Sequence, residues 1–290
     1  MKSKSRILLI LSMFIFGTLG PFVRNISVTS GELALYRAMM AAVMITLYLL
    51  VSGQKVPFSE IKHEIPLLLA SGAAMGINWI FLFEAYKYTT VSVATLSYYF
   101  APVIVTIVCP FLFKEKMTIR QFICFVMSTI GLVLITGISG MGDGSDYRGI
   151  LFGIGAAFFY ATVILLNKYI KKVAGIHRTF LQFLAAIIVL ISYVAKTSGI
   201  TLASLDTKGW ICLLIVGLVH TGLTYCMYFS SLKELPGQEV ALLSYIDPLV
   251  AVVISVTILG EAMNALQIIG GILIIGFTMW NELGSQEGLI

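Results

Sequence analysis

Charge is scarce in this sequence. Only 11% of its 290 residues are Asp, Glu, Lys or Arg, where an ordinary soluble domain carries about 25%. That scarcity excludes a water-facing surface over most of the chain. With 59% hydrophobic residues, the solvent for most of it is lipid. Catalytic motifs are missing too. There is no Walker loop, so no ATP is hydrolysed, and no H-E-x-x-H, G-x-S-x-G or Cys/His cluster, so no enzyme is expected. The four cysteines (Cys109, Cys124, Cys212 and Cys226) sit in apolar runs without CxxC spacing. They read as small packing residues rather than disulfide or metal ligands. No cofactor and no metal are expected.

What is present is a series of apolar runs, each about long enough to cross roughly 30 Å of hydrocarbon as a helix. They fall near 6–24, 31–52, 65–86, 90–112, 118–138, 148–168, 177–196, 209–231, 237–259 and 265–282. The fold class is therefore an all-α integral membrane protein of ten transmembrane helices. The first run resembles a signal peptide, but no small-x-small cleavage site follows it and Arg24 comes directly after, so a retained span is expected. Loop charge gives orientation. With the N-terminus inside, inner segments hold Lys2, Lys4, Arg6, Lys55, Lys62, Lys114, Lys116, Arg120, Lys168, Lys171, Lys172, Arg178 and Lys233. Outer segments hold only Arg24, Lys87, Arg148, Lys196 and Lys208. Both termini are then cytoplasmic. The net charge of +5 reports topology, and no nucleic-acid partner is implied.

The two halves of the chain resemble each other. A shift of 146 residues pairs Gly76 with Gly222, Tyr99 with Tyr245, Pro102 with Pro248, Glu115 with Glu261 and Gln121 with Gln267. A shift of 144 pairs Thr18 with Thr162, Gly31 with Gly175, and Ala41-Ala42 with Ala185-Ala186. The units are 1–140 and 147–283, with a short tail at 284–290. Five spans per unit turn the second unit upside down. The loops agree: FKEKMTIR carries cations, whereas its mate LGEAMNAL carries none. A 5+5 inverted repeat is the architecture of alternating-access transport around a midplane site.

These features resemble the drug/metabolite transporter superfamily, EamA type. The residues that carry the resemblance are YYFAPVIV then FKEKMT in one half, SYIDPLVAVV then LGEAMN in the other, and GELALYRAMMAA with its Arg37. It covers nearly the whole chain. It implies a central cavity lined by spans 1, 3, 4, 6, 8 and 9, with spans 5 and 10 packed behind. One departure is Lys114, which stands where the second half has Gly260.

Ionisable groups inside lipid cost about 2.5–3.5 kcal/mol on insertion scales, so each needs a reason. Asp247 lies near the middle of the ninth run, and Ser244, Asp247, Ala251 and Ser255 fall on one helical stripe. Pro248 removes an N–H there and is expected to free the Ser244 carbonyl. Asp247 reads either as a cavity acid for a cation or proton, or as a satisfied packing carboxylate. His220 reads as a titrating site residue or a packing group. Arg37 has three readings: snorkelling, pairing with Glu32 or Glu84, or meeting a substrate carboxylate. Glu84 and Lys87 read as an i,i+3 pair, and Arg24 as an interfacial anchor. Tyr98, Tyr99, Tyr160, Tyr225, Tyr245 and Trp79 lie near mid-depth, with Asn78 beside Trp79; rings there suit amphiphiles or organic cations. The candidate binding set is Asp247, Tyr99, Tyr245, Trp79, Asn78, Tyr98, His220 and Ser244, with Pro102 and Pro248 as bending points. The expected protein is a cell-membrane exporter of small metabolites such as amino acids, acting as a monomer or homodimer. The alternatives are an organic-cation carrier and a non-transporting scaffold.

Overall fold

The computed structural model describes residues 2–54, 62–113, 118–136, 144–173, 175–197, 200–232 and 243–284. Lys114, Glu115 and the tail from 285 lie outside them. The described residues are helical and contain no strand. Their order is α1 (Lys2–Gly17), α2 (Leu19–Arg24), α3 (Ser30–Val51), α4 (Ile65–Tyr88), α5 (Val91–Tyr98), α6 (Ala101–Phe113), α7 (Ile119–Thr136), α8 (Gly144–Tyr169) and α9 (Gly175–Thr197). Then follow α10 (Thr207–Leu214), a π-helical stretch (Ile215–Leu223), α11 (Thr224–Leu232), α12 (Ile246–Thr257) and α13 (Ala265–Gly284). Among the described residues, six helical segments are long and apolar enough to cross a membrane, and four shorter apolar helices accompany them. Outward-facing positions such as Val43, Leu47, Leu50, Ile188 and Ile272 are exposed aliphatics, as a lipid-facing surface requires.

Local chemistry places the helix ends. Thr29 and Glu32 form a reciprocal capping box that starts α3, and Thr90 and Asp206 cap α5 and α10; each satisfies N–H groups the helix cannot use. Thr118 with Gln121 starts α7 by the same reciprocal bonding as Asn264 with Gln267 at α13. These pairs are 146 residues apart. Hydroxyls within the helices mostly return to their own backbone, as Thr46 does to Ala42 and Thr278 to Ile274, so they need no partner in lipid.

Two spans that read as continuous in the sequence are broken. The chain turns at Tyr99–Phe100 between α5 and α6, and again at Ser244–Tyr245 before α12. Hydropathy hides both turns because the flanking residues stay apolar. Pro102 and Pro248 fall in the first turns of α6 and α12, where a missing N–H costs little. The Ser244 carbonyl is not freed: it accepts the Asp247 N–H at 3.3 Å.

The helices meet through small residues. α4 lies against α8 and α9, α3 against α9 and the π-helical stretch, and α1 against α11 and α12; α7 and α13 pair with each other away from the centre. A Cβ on Gly72 would lie 2.5 Å from the Ala185 Cβ, against the α9 backbone. Gly72→Ala is therefore expected to destabilise by about 1–3 kcal/mol. Gly276, where an added Cβ would meet nothing within 4 Å, provides the contrast. Gly276→Ala should be neutral or slightly stabilising, because helix entropy favours alanine. Apparent melting temperatures in detergent check the pair; equal shifts would mean the α4–α9 contact is slack.

Long-range acids tie the loops at each end of the bundle. Glu32 accepts from the Thr201 N–H at 2.6 Å and from its hydroxyl. At the opposite end Glu64 accepts from the Lys171 and Lys172 N–H groups at 2.8 and 3.0 Å.

Candidate functional site

A cavity of about 730 Å³ occupies the middle of the bundle, within the usual few hundred to a thousand Å³ of ligand sites. Its walls come from α1, α4, α5, α6, α8, α11 and α12. Arg37 of α3 and Arg178 and Gln182 of α9 line it as well, which adds spans 2 and 7 to the lining set that the resemblance implies. α7 and α13 contribute nothing among the described lining residues.

Asp247 marks one side. It is the second residue of α12, where the helix dipole favours a negative charge. Its Oδ2 accepts the Tyr99 hydroxyl at 2.7 Å. Tyr99 is itself the residue at which the other span breaks, so the two interruptions meet at the cavity. The broken backbone borders open space rather than lipid, as it must. Tyr98 stands edge-on to Tyr99 and lies 5.3 Å from Tyr160.

Arg37 is a second charged residue of the wall. It is 3% exposed. Its Nε donates to Thr221 Oγ1 at 3.0 Å, and its guanidinium lies 4.9 Å from the Trp79 ring centroid and 5.2 Å from that of Phe83. An aromatic chain, Trp79 to Phe183 to Tyr225 to Phe16, runs along the wall with centroids 5.2–5.3 Å apart. Thr221 belongs to the π-helical stretch, whose widened turn is braced by Thr221 and Thr224 bonding to the Val216 and Val219 carbonyls. Such stretches are rare and concentrate at functional sites.

The cavity continues past Met75 and Tyr228 to Asn167, Arg178 and Gln182 at one end of the bundle. There Gln182 Nε2 donates to Ser71 Oγ at 2.6 Å and to Asn167 Oδ1 at 2.7 Å. The other end is latched. Glu261 pairs with Arg24 at 2.5 Å, accepts the Val91 N–H at 2.9 Å and bonds the Ser255 hydroxyl, while Arg24 also reaches the Thr89 carbonyl at 2.7 Å. Gly260 makes this possible. Its φ of +66° is a left-handed conformation that suits glycine and turns Glu261 back onto the bundle. Tyr86 lines both the main cavity and a smaller one of about 320 Å³ beneath the latch, and so stands between them.

Of the residues named from the sequence, Asp247, Tyr99, Tyr245, Trp79, Tyr98 and Ser244 line the cavity, as does Pro102. Asn78 does not: its amide crosses to the Ala156 carbonyl at 2.6 Å and fastens α4 to α8. His220 turns away as well, 2.9 Å from Thr18 Oγ1 and against the Phe22 ring. Ser255 of the expected polar stripe serves the latch. Glu84 pairs with Lys87 at 3.3 Å as expected. Arg37 pairs with neither Glu32 nor Glu84, and Arg24 pairs with Glu261. Sequence reasoning misses Gln182 and Arg178 as site residues, although their i,i+4 spacing on an apolar helix is a usable signal.

This chain, a helical bundle around a central cavity, has known relatives. A description of the EamA-like transporter family matches residues 3–137 and again 147–281. The chain belongs to the EamA-like transporter family. It is a multi-pass membrane transporter. A relative from Bacillus subtilis (strain 168), "Uncharacterized transporter YxxF", is 31% identical over 275 residues, spanning 94% of this chain and 88% of its own. An "Uncharacterized transporter" from Archaeoglobus fulgidus is 24% identical over 282 residues, 94% of this chain and 95% of its own. A solved chain described as "Crystal structure of protein" superposes with a TM-score of 0.68 at 15% identity, over 97% of this chain and 98% of its own; that likeness is one of fold alone.

Proposed function

We propose that this EamA-family chain is a secondary transporter, not an enzyme, that exports small amphiphilic metabolites such as amino acids across the cell membrane by alternating access. The observation that carries the reading is the cavity itself: an acid and a cation stand on its walls while one end is latched by Glu261. With the termini cytoplasmic, the latched end is extracellular and the Asn167–Gln182 end is where cytoplasmic substrate enters. The driving force is then a solute or proton gradient, since no ATP-hydrolysing motif accompanies the spans.

The two family-matching segments would form an inverted repeat and rock about the cavity. Support comes from features 146 residues apart that serve alike in each segment, namely the turns at Tyr99 and Tyr245 and the capping boxes at Thr118 and Asn264. Exchange also holds at the ends, where Glu32 and Glu64 of the first segment each grip a loop of the second. Asp247, Tyr99, Tyr98, Tyr245, Trp79 and Ser244 form the substrate surface, and the turns beside Pro102 and Pro248 are the bending points.

An organic-cation carrier is the second reading, favoured by Asp247 amid Tyr98, Tyr99 and Tyr160. Purified protein, screened for thermal shifts with a metabolite panel and then reconstituted in proteoliposomes, tests both. Counterflow of a labelled zwitterion supports the first, counterflow of amines alone the second, and no solute movement under any gradient overturns transport.

A further inference from the structure

Arg37 is a buried cation without a counter-ion. Among the described residues no carboxylate lies within ion-pairing distance of it. Glu32 is committed to Thr29 and Thr201, and Glu84 to Ser30 and Lys87. Of the five guanidinium N–H groups, the one on Nε is used on Thr221. The others have no hydrogen-bond acceptor among the described residues, and Arg37 lines the cavity. A buried charge without a partner is costly, and faces of Trp79 and Phe83 return only part of that cost. The fold nevertheless holds the guanidinium in place in the cavity wall, with Thr221 bonded to its Nε and its carbon over the Trp79 ring. A planar fork so placed matches a carboxylate.

Asp247 supplies the complement. Its Oδ2 takes Tyr99, and among the described residues Oδ1 has no hydrogen bond while the side chain lines the same cavity. Tyr86 and Tyr225 line the same cavity as Arg37 and Asp247, so a molecule filling it lies among aromatic rings with an acid and a cation in its walls.

We infer that Arg37 is the anion-binding pole of the site and sets its specificity: the cavity takes a molecule bearing both an amine and a carboxylate, the carboxylate on Arg37 and the ammonium on Asp247. This rests on the transport reading and goes past it, because it rejects simple amines and neutral polyols as preferred cargo.

The test uses matched probes in proteoliposomes containing the full chain: leucine against isoamylamine and phenylalanine against phenethylamine, each amine being the amino acid without its carboxylate. Wild-type protein is expected to favour the amino acids. R37Q should cut amino-acid uptake about tenfold or more, the factor expected for losing a charge-assisted bond, and change amine uptake by less than about twofold. R37K keeps the charge but not the fork and should fall between. Equal losses for acid and amine in R37Q would make Arg37 merely structural and overturn the assignment. Amine-only transport by wild type would also overturn it while leaving transport intact; movement of neither probe would remove both readings. A measurement with Arg37 in place guards against misfolding. Trp79 is 5% exposed, whereas Trp210 and Trp280 are each more than a third exposed, so a W210F/W280F background isolates Trp79 emission. Leucine should perturb that emission at concentrations about tenfold below those at which isoamylamine does; equal potency overturns the proposal.

Discussion

Asp247→Asn should reduce substrate flux about a hundredfold while leaving the protein folded. Asparagine keeps the shape and an oxygen that can accept the Tyr99 hydroxyl, now 2.7 Å from Oδ2. What it loses is the charge. Removing one member of a buried charged contact costs about 2–5 kcal/mol, and each 1.4 kcal/mol is about tenfold. Substrate ammonium facing a neutral amide in a cavity bounded by Tyr98, Tyr160 and Tyr225 has no other acid to meet among the described lining residues. Tyr99→Phe separates the charge from its support. It leaves the carboxylate and removes one charge-assisted hydrogen bond, worth about 1.5 kcal/mol, so flux should fall only about tenfold. Initial rates over a range of pH, with melting temperature as the folding control, check the order. Wild-type flux in Asp247→Asn at every pH would remove Asp247 from the mechanism; a larger loss in Tyr99→Phe would move the essential contact to the phenol.

The helices are legible in the sequence because lipid leaves the backbone no alternative: a run of about twenty apolar residues must close its own hydrogen bonds. The aromatic surface is legible for a different reason. Tyr99 and Tyr245 recur at one spacing beside recurring prolines, and both reach the cavity. Polar residues within the spans are harder, because a helical period tells which residues share a face but not what that face meets. Asn78 and Trp79 are neighbours, yet one fastens α8 and the other lines the cavity. The surroundings of Arg37 are hidden because its nearby acids are occupied by partners remote in sequence: Thr201 lies 169 residues from Glu32. The helix breaks are silent as well, since turning at Tyr99–Phe100 leaves no mark on hydropathy. Glu261 is visible within a Gly-Glu pair, but its ion-pair partner Arg24 lies in the other half of the chain.

That pairing carries the second large effect. If the Glu261 latch closes the extracellular end, breaking it should move the resting protein toward an outward-open state. The Glu261 side chain is 7% exposed and that of Arg24 33%. A fully buried pair loses about 3–5 kcal/mol when one partner is removed. Exposure of Arg24 lowers this to about 2–3 kcal/mol, or roughly a hundredfold in the conformational equilibrium. Leu82, which lines the main cavity and is 7% exposed, provides a reporter as Leu82→Cys. In oriented vesicles, impermeant maleimide added outside should label it slowly in the latched protein and much faster when Glu261→Gln or Arg24→Gln is also present. The double variant decides what the latch is. Residues acting through one contact couple by about 0.5–3 kcal/mol, so the double should open little further than either single. Simple additivity would mean that Glu261 acts through the Val91 N–H and Ser255 alone, holding a helix start rather than a gate. Unchanged labelling in all three variants would leave the latch no part in closure. Coupling, by contrast, would tie Arg24 of α2 to the loop after α12 as one gating unit, placed where the two segments must separate to release their cargo.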